Sequence, residues 1–291
     1  MNLSGLAMKT KLKLFVLIIA NVLVVPMYGQ NSAGQIIETI IKKTGSPQIP
    51  NTVDVIKEGN PETPVTGIVT TMFATMEVLK KAVAEKCNLI IVHEPLYYNH
   101  LDQTSQFQND PVYLEKSRYI KENKLIIWRF HDYIHSMKPD GIMSGMVKKL
   151  QWEKYTVNGN LSQYLIPETT LEGLLKYLKQ IFPANSFYVV GNREMKLSRV
   201  RFAAGAPGSS SHIRLLQDKN VDVVLAGESP QWETYEYMRD AVSQGKPKAI
   251  IFLGHVSSEE AGMDYCATWV KTFIKDVLVM YVESGPAYWS Y

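Results

Sequence analysis

The chain has 291 residues, 46% of them hydrophobic and 20% charged, enough for one large α/β domain or two related halves. Its formal charge of +3 comes from the amino terminus: Lys9, Lys11 and Lys13 stand in a segment without acids, and beyond it 28 basic side chains face 28 acidic ones. That balance argues against nucleic acid as a partner, because such binding needs many phosphates neutralised at once.

The three lysines precede a short apolar run from Leu14 to Met27, followed by Tyr28-Gly29-Gln30. A basic stretch, an apolar core and a small residue before a polar start describe an export signal over residues 1–29, cleaved near Gly29. The run is short for a membrane span and holds no cysteine to accept a lipid. The expectation is a periplasmic or extracellular protein without stable membrane insertion after cleavage; an uncleaved anchor is the alternative. Cys87 and Cys266, the only cysteines, are expected as two buried thiols rather than a disulfide.

Beyond the signal, strands and helices alternate. Residues 63–69 read as a strand, 72–85 as an amphipathic helix, 88–92 as a strand, 111–123 as a helix and 125–130 as a strand ending on His131. A short helix is expected over 142–150, and a longer one over 170–182, capped by Thr169 or Thr170 with Glu172 behind it. Strands follow at 186–190 and 200–204, a helix near 210–218, a strand at 221–225 and a helix over 231–244. A strand before His255, a helix over 258–274 and a last strand over 278–282 complete the series. Strands separated by helices require crossover connections, hence an α/β fold with largely parallel sheets flanked by helices. The two halves are expected over roughly 30–150 and 151–291, with no inserted domain.

Two apolar runs stop on a histidine with a carboxylate close behind. Asn88–Val92 ends on His93-Glu94, and Lys248–Leu253 ends on Gly254-His255, with Glu259 four positions later. Carboxyl ends of strands in open α/β sheets are where ligands bind, and imidazole with carboxylate is the donor set of a borderline divalent metal. His131 and Glu228 also follow strands. His93-Glu94 is not the helical HExxH motif, because Pro95 stops a helix and position 97 is tyrosine. His255 and Glu259 are spaced to share one helical face, with Glu260 at a poorer angle; an ordinary helix entry capped by Ser257 or Ser258 is the alternative.

The run from Gly205 to Ser211 follows a strand and opens a helix, so Gly205, Gly208 and Ser209 are candidates for holding an anion on backbone N–H groups. A plain strand-to-helix turn is the competing reading. His212 beside it is expected on the surface.

These pieces together resemble the Nif-three-like family of dinuclear metal-centre proteins, also known as GTP cyclohydrolase I type 2-like. The resemblance rests on Val65–Thr70 with Glu77-Val-Leu79, on Ile90-Ile-Val-His-Glu-Pro-Leu-Tyr-Tyr98, on Thr170–Lys176 through Val190-Gly191, and on Gly227-Glu228 with Gly254-His255 and Glu259. It implies the family's two-half α/β fold and a ring-shaped homohexamer. It also implies two divalent ions (zinc, iron or manganese) on His93, Glu94, His135, His255 and Glu259, with Glu259 bridging. Two positions depart from the pattern: Glu94 stands where the family has a second histidine, and His135 where it has an aspartate. The exchanges have opposite sense, so three imidazoles and two carboxylates are retained. Glu228 and His131, just outside the ligand set, are candidates for proton transfer or for orienting a ligand. The expected activity is metal-dependent hydrolysis of a small anionic substrate, a phosphoester or nucleotide-like molecule; a non-enzymatic metal-binding ring is the alternative.

Overall fold

The computed structural model describes residues 31–183 and 186–289, so the expected signal over 1–29 lies outside the described residues. Among these residues no helix is long and apolar enough to cross a membrane. The chain runs α1 (Ala33–Thr44), β1 (Ile56–Glu58), β2 (Gly67–Thr71), α2 (Met76–Ala84), β3 (Leu89–Val92), α3 (Pro111–Glu122), β4 (Ile126–Arg129), α4 (Asp132–Ser136) and α5 (Gly141–Lys149). It continues with β5 (Thr156–Val157), β6 (Asn160–Thr170), α6 (Leu171–Ile181), β7 (Tyr188–Val190), β8 (Lys196–Ala203), α7 (Ser209–Gln217), β9 (Val223–Ala226), α8 (Glu236–Ser243), β10 (Ala249–Phe252), α9 (His255–Val270) and β11 (Leu278–Tyr281).

Two sheets flanked by helices result, the mixed α/β architecture expected. The first has the order β1-β4-β3-β2-β11 and the second β5-β6-β8-β9-β10-β7. β4, β3, β2 and β11 are parallel, as are β8, β9 and β10; β1 and β7 close edges antiparallel, and β6 with the edge strand β5 continues the second sheet antiparallel beyond β8. β3, β4, β9 and β10 are buried at every residue, which is why they read as unbroken apolar runs instead of alternating ones. β11 returns from the end of the chain to pair with β2, and α9 packs its Met263, Cys266 and Val270 into the first sheet's core. A cut at residue 150 therefore does not separate the two sheets. Cys87 and Cys266 are both buried and free, as expected.

The differences from the sequence expectation have local causes. α1 carries a capping box between Ser32 and Gln35 and buries Ile36, Ile37 and Ile40, yet was not among the expected elements. β6 is a further addition to the expected series: its burial alternates only around Tyr164 and Ile166, so its polar ends read as loop. α2 begins four residues late, at the cap set by Thr75, and α6 is capped by Thr170 rather than Thr169. A π-helical turn over Gln231–Tyr235 precedes α8.

α5 and α9 cross at glycine. A Cβ on Gly145 would lie 2.1 Å from the Ala261 carbonyl oxygen, and one on Gly262 would lie 2.5 Å from the Ile142 Cα. Only bare backbones permit this approach, and it fixes α9, which carries His255 and Glu259, against the helix that follows His135.

Candidate metal centre

Five chain segments meet where the carboxyl ends of β3 and β4 face those of β9 and β10. β3 delivers His93 and Glu94, both buried. β4 delivers His131, and α4 turns the chain so that His135 stands one helical turn beyond it. The loop after β9 supplies Glu228. α9 opens at His255, behind Gly254 at φ 90°, and places Glu259 one turn further in. Sequence separation is no obstacle: Nε2 of His255 lies 3.1 Å from Oε1 of Glu94, 161 positions away.

The contacts at the two ring nitrogens of each histidine fall into one pattern. Nδ1 of His93 donates to the Phe130 carbonyl oxygen at 3.2 Å, Nδ1 of His131 to Asp132 at 2.9 Å, Nδ1 of His135 to Asp140 at 2.9 Å and Nδ1 of His255 to Glu228 at 3.2 Å. Each partner oxygen can only accept, so each Nδ1 carries the hydrogen and each Nε2 is the atom left to face the centre. There Nε2 of His93 is 3.6 Å and Nε2 of His255 3.1 Å from Oε2 of Glu259, while Nε2 of His135 is 3.9 Å from Oε1 of the same carboxylate. Nε2 of His131 is 3.9 Å from Oε1 of Glu94. The His93 and His131 rings stack with centroids 4.7 Å apart.

Burial makes this cluster costly without a cation. Nε2 of His93 and Oε2 of Glu259 are buried and lack a hydrogen-bond partner, which is rare for native groups unless something else occupies them. Burial, with the His135 and His131 charges beside it, drives the His93 imidazole well below its ordinary range, so it is a neutral lone-pair donor. Burial also opposes charge on His255, but the carboxylates of Glu228, Glu259 and Glu94 around it outweigh burial and push that imidazole up to about 12. His135 is raised against its burial by Asp140. Burial pushes the Glu94 carboxyl up, yet His255, His131 and Arg129 hold it below the usual carboxylate range. Two triads of donor atoms, His93–His131–His135 and His93–Glu94–Glu259, lie within 4.8 Å of one another and could each hold a metal ion. Imidazole nitrogen with carboxylate oxygen, each ring anchored from behind, fits a borderline divalent cation.

All five expected metal ligands are thus in one place. His131, expected just outside the set, has its Nε2 inside the histidine triad. Glu228 stands behind His255 and is largely exposed. Glu260, the rival to Glu259, turns away and accepts from Ser284 and Gly285. The Gly205–Ser211 loop is differently employed. The Gly205 N–H donates to the Ser258 hydroxyl, and a Cβ there would lie 2.4 Å from Oε1 of Glu259, so Gly205 makes room for that carboxylate. Gly208 opens α7 at φ 87°, and Ser209 is buried with its hydroxyl on Ser229. Neither Gly205, Gly208 nor Ser209 borders the adjoining cleft; Ala206, Pro207 and Ser211 do. His212 is fully buried against Phe252 instead of exposed, because its helix turns it onto the second core; burial pushes its imidazole down.

Four further residues serve the site. Asp54 accepts from the backbone N–H of His131, Asp132 and Tyr133 and so caps α4 across 77 residues or more. Asp132 orients His131 and is itself held by Thr52 and Val53. Asp140 caps α5 through Met143 while holding His135; an aspartate before a helix signals the cap but not the second task. Arg129, buried at the end of β4, reaches Glu94 and the carbonyls of His93 and His100. The centre opens onto a cleft of roughly 900 Å³, bordered also by Lys138, Arg201 and Arg214.

The chain is similar to several known proteins. A GTP cyclohydrolase 1 type 2 homolog of Clostridium acetobutylicum is 24% identical over 212 residues, covering 69% of this chain and 75% of the relative. A Bacillus cereus protein related to NIF3 superposes with a TM-score of 0.68 at 14% identity, covering 89% of this chain and 98% of that one. Staphylococcus aureus protein SA1388 gives a TM-score of 0.66 at 15% identity, with 89% and 99% covered. The two structures share the fold. The Duf34/NIF3 (NGG1p interacting factor 3) family matches residues 37–285, and this chain belongs to it.

Proposed function

We propose that this protein is an exported hydrolase that works with two divalent metal ions held by His93, Glu94, His135, His255 and Glu259, and that cleaves a phosphoester or nucleotide-like bond in a small anionic substrate. The observation that carries the reading is the inward set of four Nε2 atoms, each with its Nδ1 anchored, around two buried carboxylates beside an open cleft. Bound ions of this kind supply Lewis acidity and an activated water. The chain's own residues do the rest. Glu259 presents one oxygen to His135 and the other to His93 and His255, the arrangement a bridging carboxylate needs. Glu94 faces the centre with Oε1 while Arg129 engages Oε2, which keeps the carboxylate ionised and single-ended. Glu228 fixes the His255 ring. His131 is a quarter exposed at the cleft with Asp132 on its Nδ1, which suits it to hold or move a proton at Nε2. A homohexameric ring and a periplasmic or extracellular location complete the proposal.

The test is metal analysis of the purified protein, paired with a screen of nitrophenyl phosphate mono- and diesters and nucleotides. About two equivalents of metal and metal-dependent turnover would support the reading. Bound metal without turnover of any substrate would favour a non-enzymatic metal-binding protein, and no bound metal would refute both.

A further inference from the structure

The cleft holds positive charge that the metal site does not use. On β8, Val200 and Phe202 point into the second sheet's core, so strand alternation sends Arg201 to the opposite face. α7 covers that face through Leu215 and Leu216, and its Ser211, Arg214 and Leu215, three and four positions apart, border the same cleft as Arg201. Nε of Arg201 is buried and has no hydrogen-bond partner. Among the described residues no carboxylate pairs with Arg201 or Arg214, whereas neighbouring Arg199 is matched by Asp222. The acids that border the cleft are committed elsewhere: Glu94 to Arg129, Asp140 to His135 and Glu259 to His255. A guanidinium N–H buried without an acceptor is unfavourable unless a ligand supplies one, and planar guanidinium matches phosphate oxygens two at a time.

We propose that Arg201 and Arg214 bind a phosphate group of the substrate, with Lys138, which borders the same cleft, as an added point charge. The substrate is then a small phosphorylated compound whose anchoring phosphate is separate from the bond cleaved at the histidine cluster. This names the substrate class for the site proposed above and rests on that reading for the bond broken, but not for the phosphate contact.

The experiment is calorimetric titration of inorganic phosphate into the full chain after metal removal by chelation. Saturable binding is expected, weakened about tenfold or more in Arg201→Gln and Arg214→Gln, as loss of a charge-assisted pair requires, with less loss in Arg201→Lys. Metal content after reloading should equal that of the parent in all three. Should Arg201→Gln fail to fold, the exposed Arg214 on α7 still gives the answer. Phosphate affinity unchanged in the glutamine variants, or abolished only by His255→Ala, would overturn the assignment. Absence of bound metal in the parent would sink the hydrolase reading while leaving the arginine result intact.

Discussion

Arg129 and Glu94 form a buried pair at the edge of the metal centre, with a guanidinium nitrogen 3.2 Å from the outer carboxylate oxygen. The same guanidinium donates to the carbonyl oxygens of His93 and His100, so it ties the whole turn after β3 to β4. A carboxylate at position 94 stays charged here because His255 and His131 face it from the centre and this cation stands behind it. The pair gives a physical reason why glutamate serves at a position where the family resemblance implies histidine.

Removing that cation should be severe. Arg129→Met strips the buried outer oxygen of Glu94 of its cation and leaves the His93 and His100 carbonyls without their donor, a loss on the order of 3–5 kcal/mol. Chemical denaturation should report it, and metal affinity should fall with it. The double variant Arg129→Met, Glu94→Gln should recover part of the stability but not the metal.

The residues behind the imidazoles should matter almost as much as the imidazoles. Asp140→Ala frees the His135 ring and is expected to weaken metal binding about 10–100-fold, read by competition with a chelating dye. Glu259→Ala should abolish most binding. Glu260→Ala, whose parent side chain bonds Ser284 and Gly285, should leave metal content unchanged.

Protons and metal compete at this site, and the sign is set by His255. Its imidazole is raised to about 12 in the metal-free protein, so the proton it holds contributes stability that is complete below about pH 6.5 and declines as pH rises through 12. His135, also raised, acts in the same direction. Metal must displace these protons. The rise in Tm on adding zinc or manganese should therefore grow between about pH 6 and pH 9, and a constant rise across that range would contradict the arrangement.

Asp54→Ala tests the distant cap. Three backbone N–H groups lose their acceptor, at about 1–3 kcal/mol for each one left buried and unmet. Unfolding should come earlier, and metal affinity should fall because α4 no longer presents His131 and His135 in register. Asp54→Asn, which keeps one acceptor oxygen, should lie between.

Much of this protein can be read along the chain. Apolar runs of buried parallel strands, helix caps such as Thr75 and Thr170, and histidines directly after strands are local signals, because each depends on neighbours a few positions away. They sufficed for the alternating α/β order and for His93, Glu94, His255 and Glu259 as candidates, whereas His135 rests on the family resemblance alone. What tertiary structure alone decided is how these groups serve one another. That Glu94 meets His255, that Asp54 caps a helix 77 positions downstream, that Gly205 yields space to Glu259 and that His212 turns inward all depend on sheets and helices packing from remote segments. Local sequence sets which way a side chain leaves its own strand or helix; only the closing of the two sheets around α9 brings the donors within reach, because a carboxylate and an imidazole interact through space and not along the backbone.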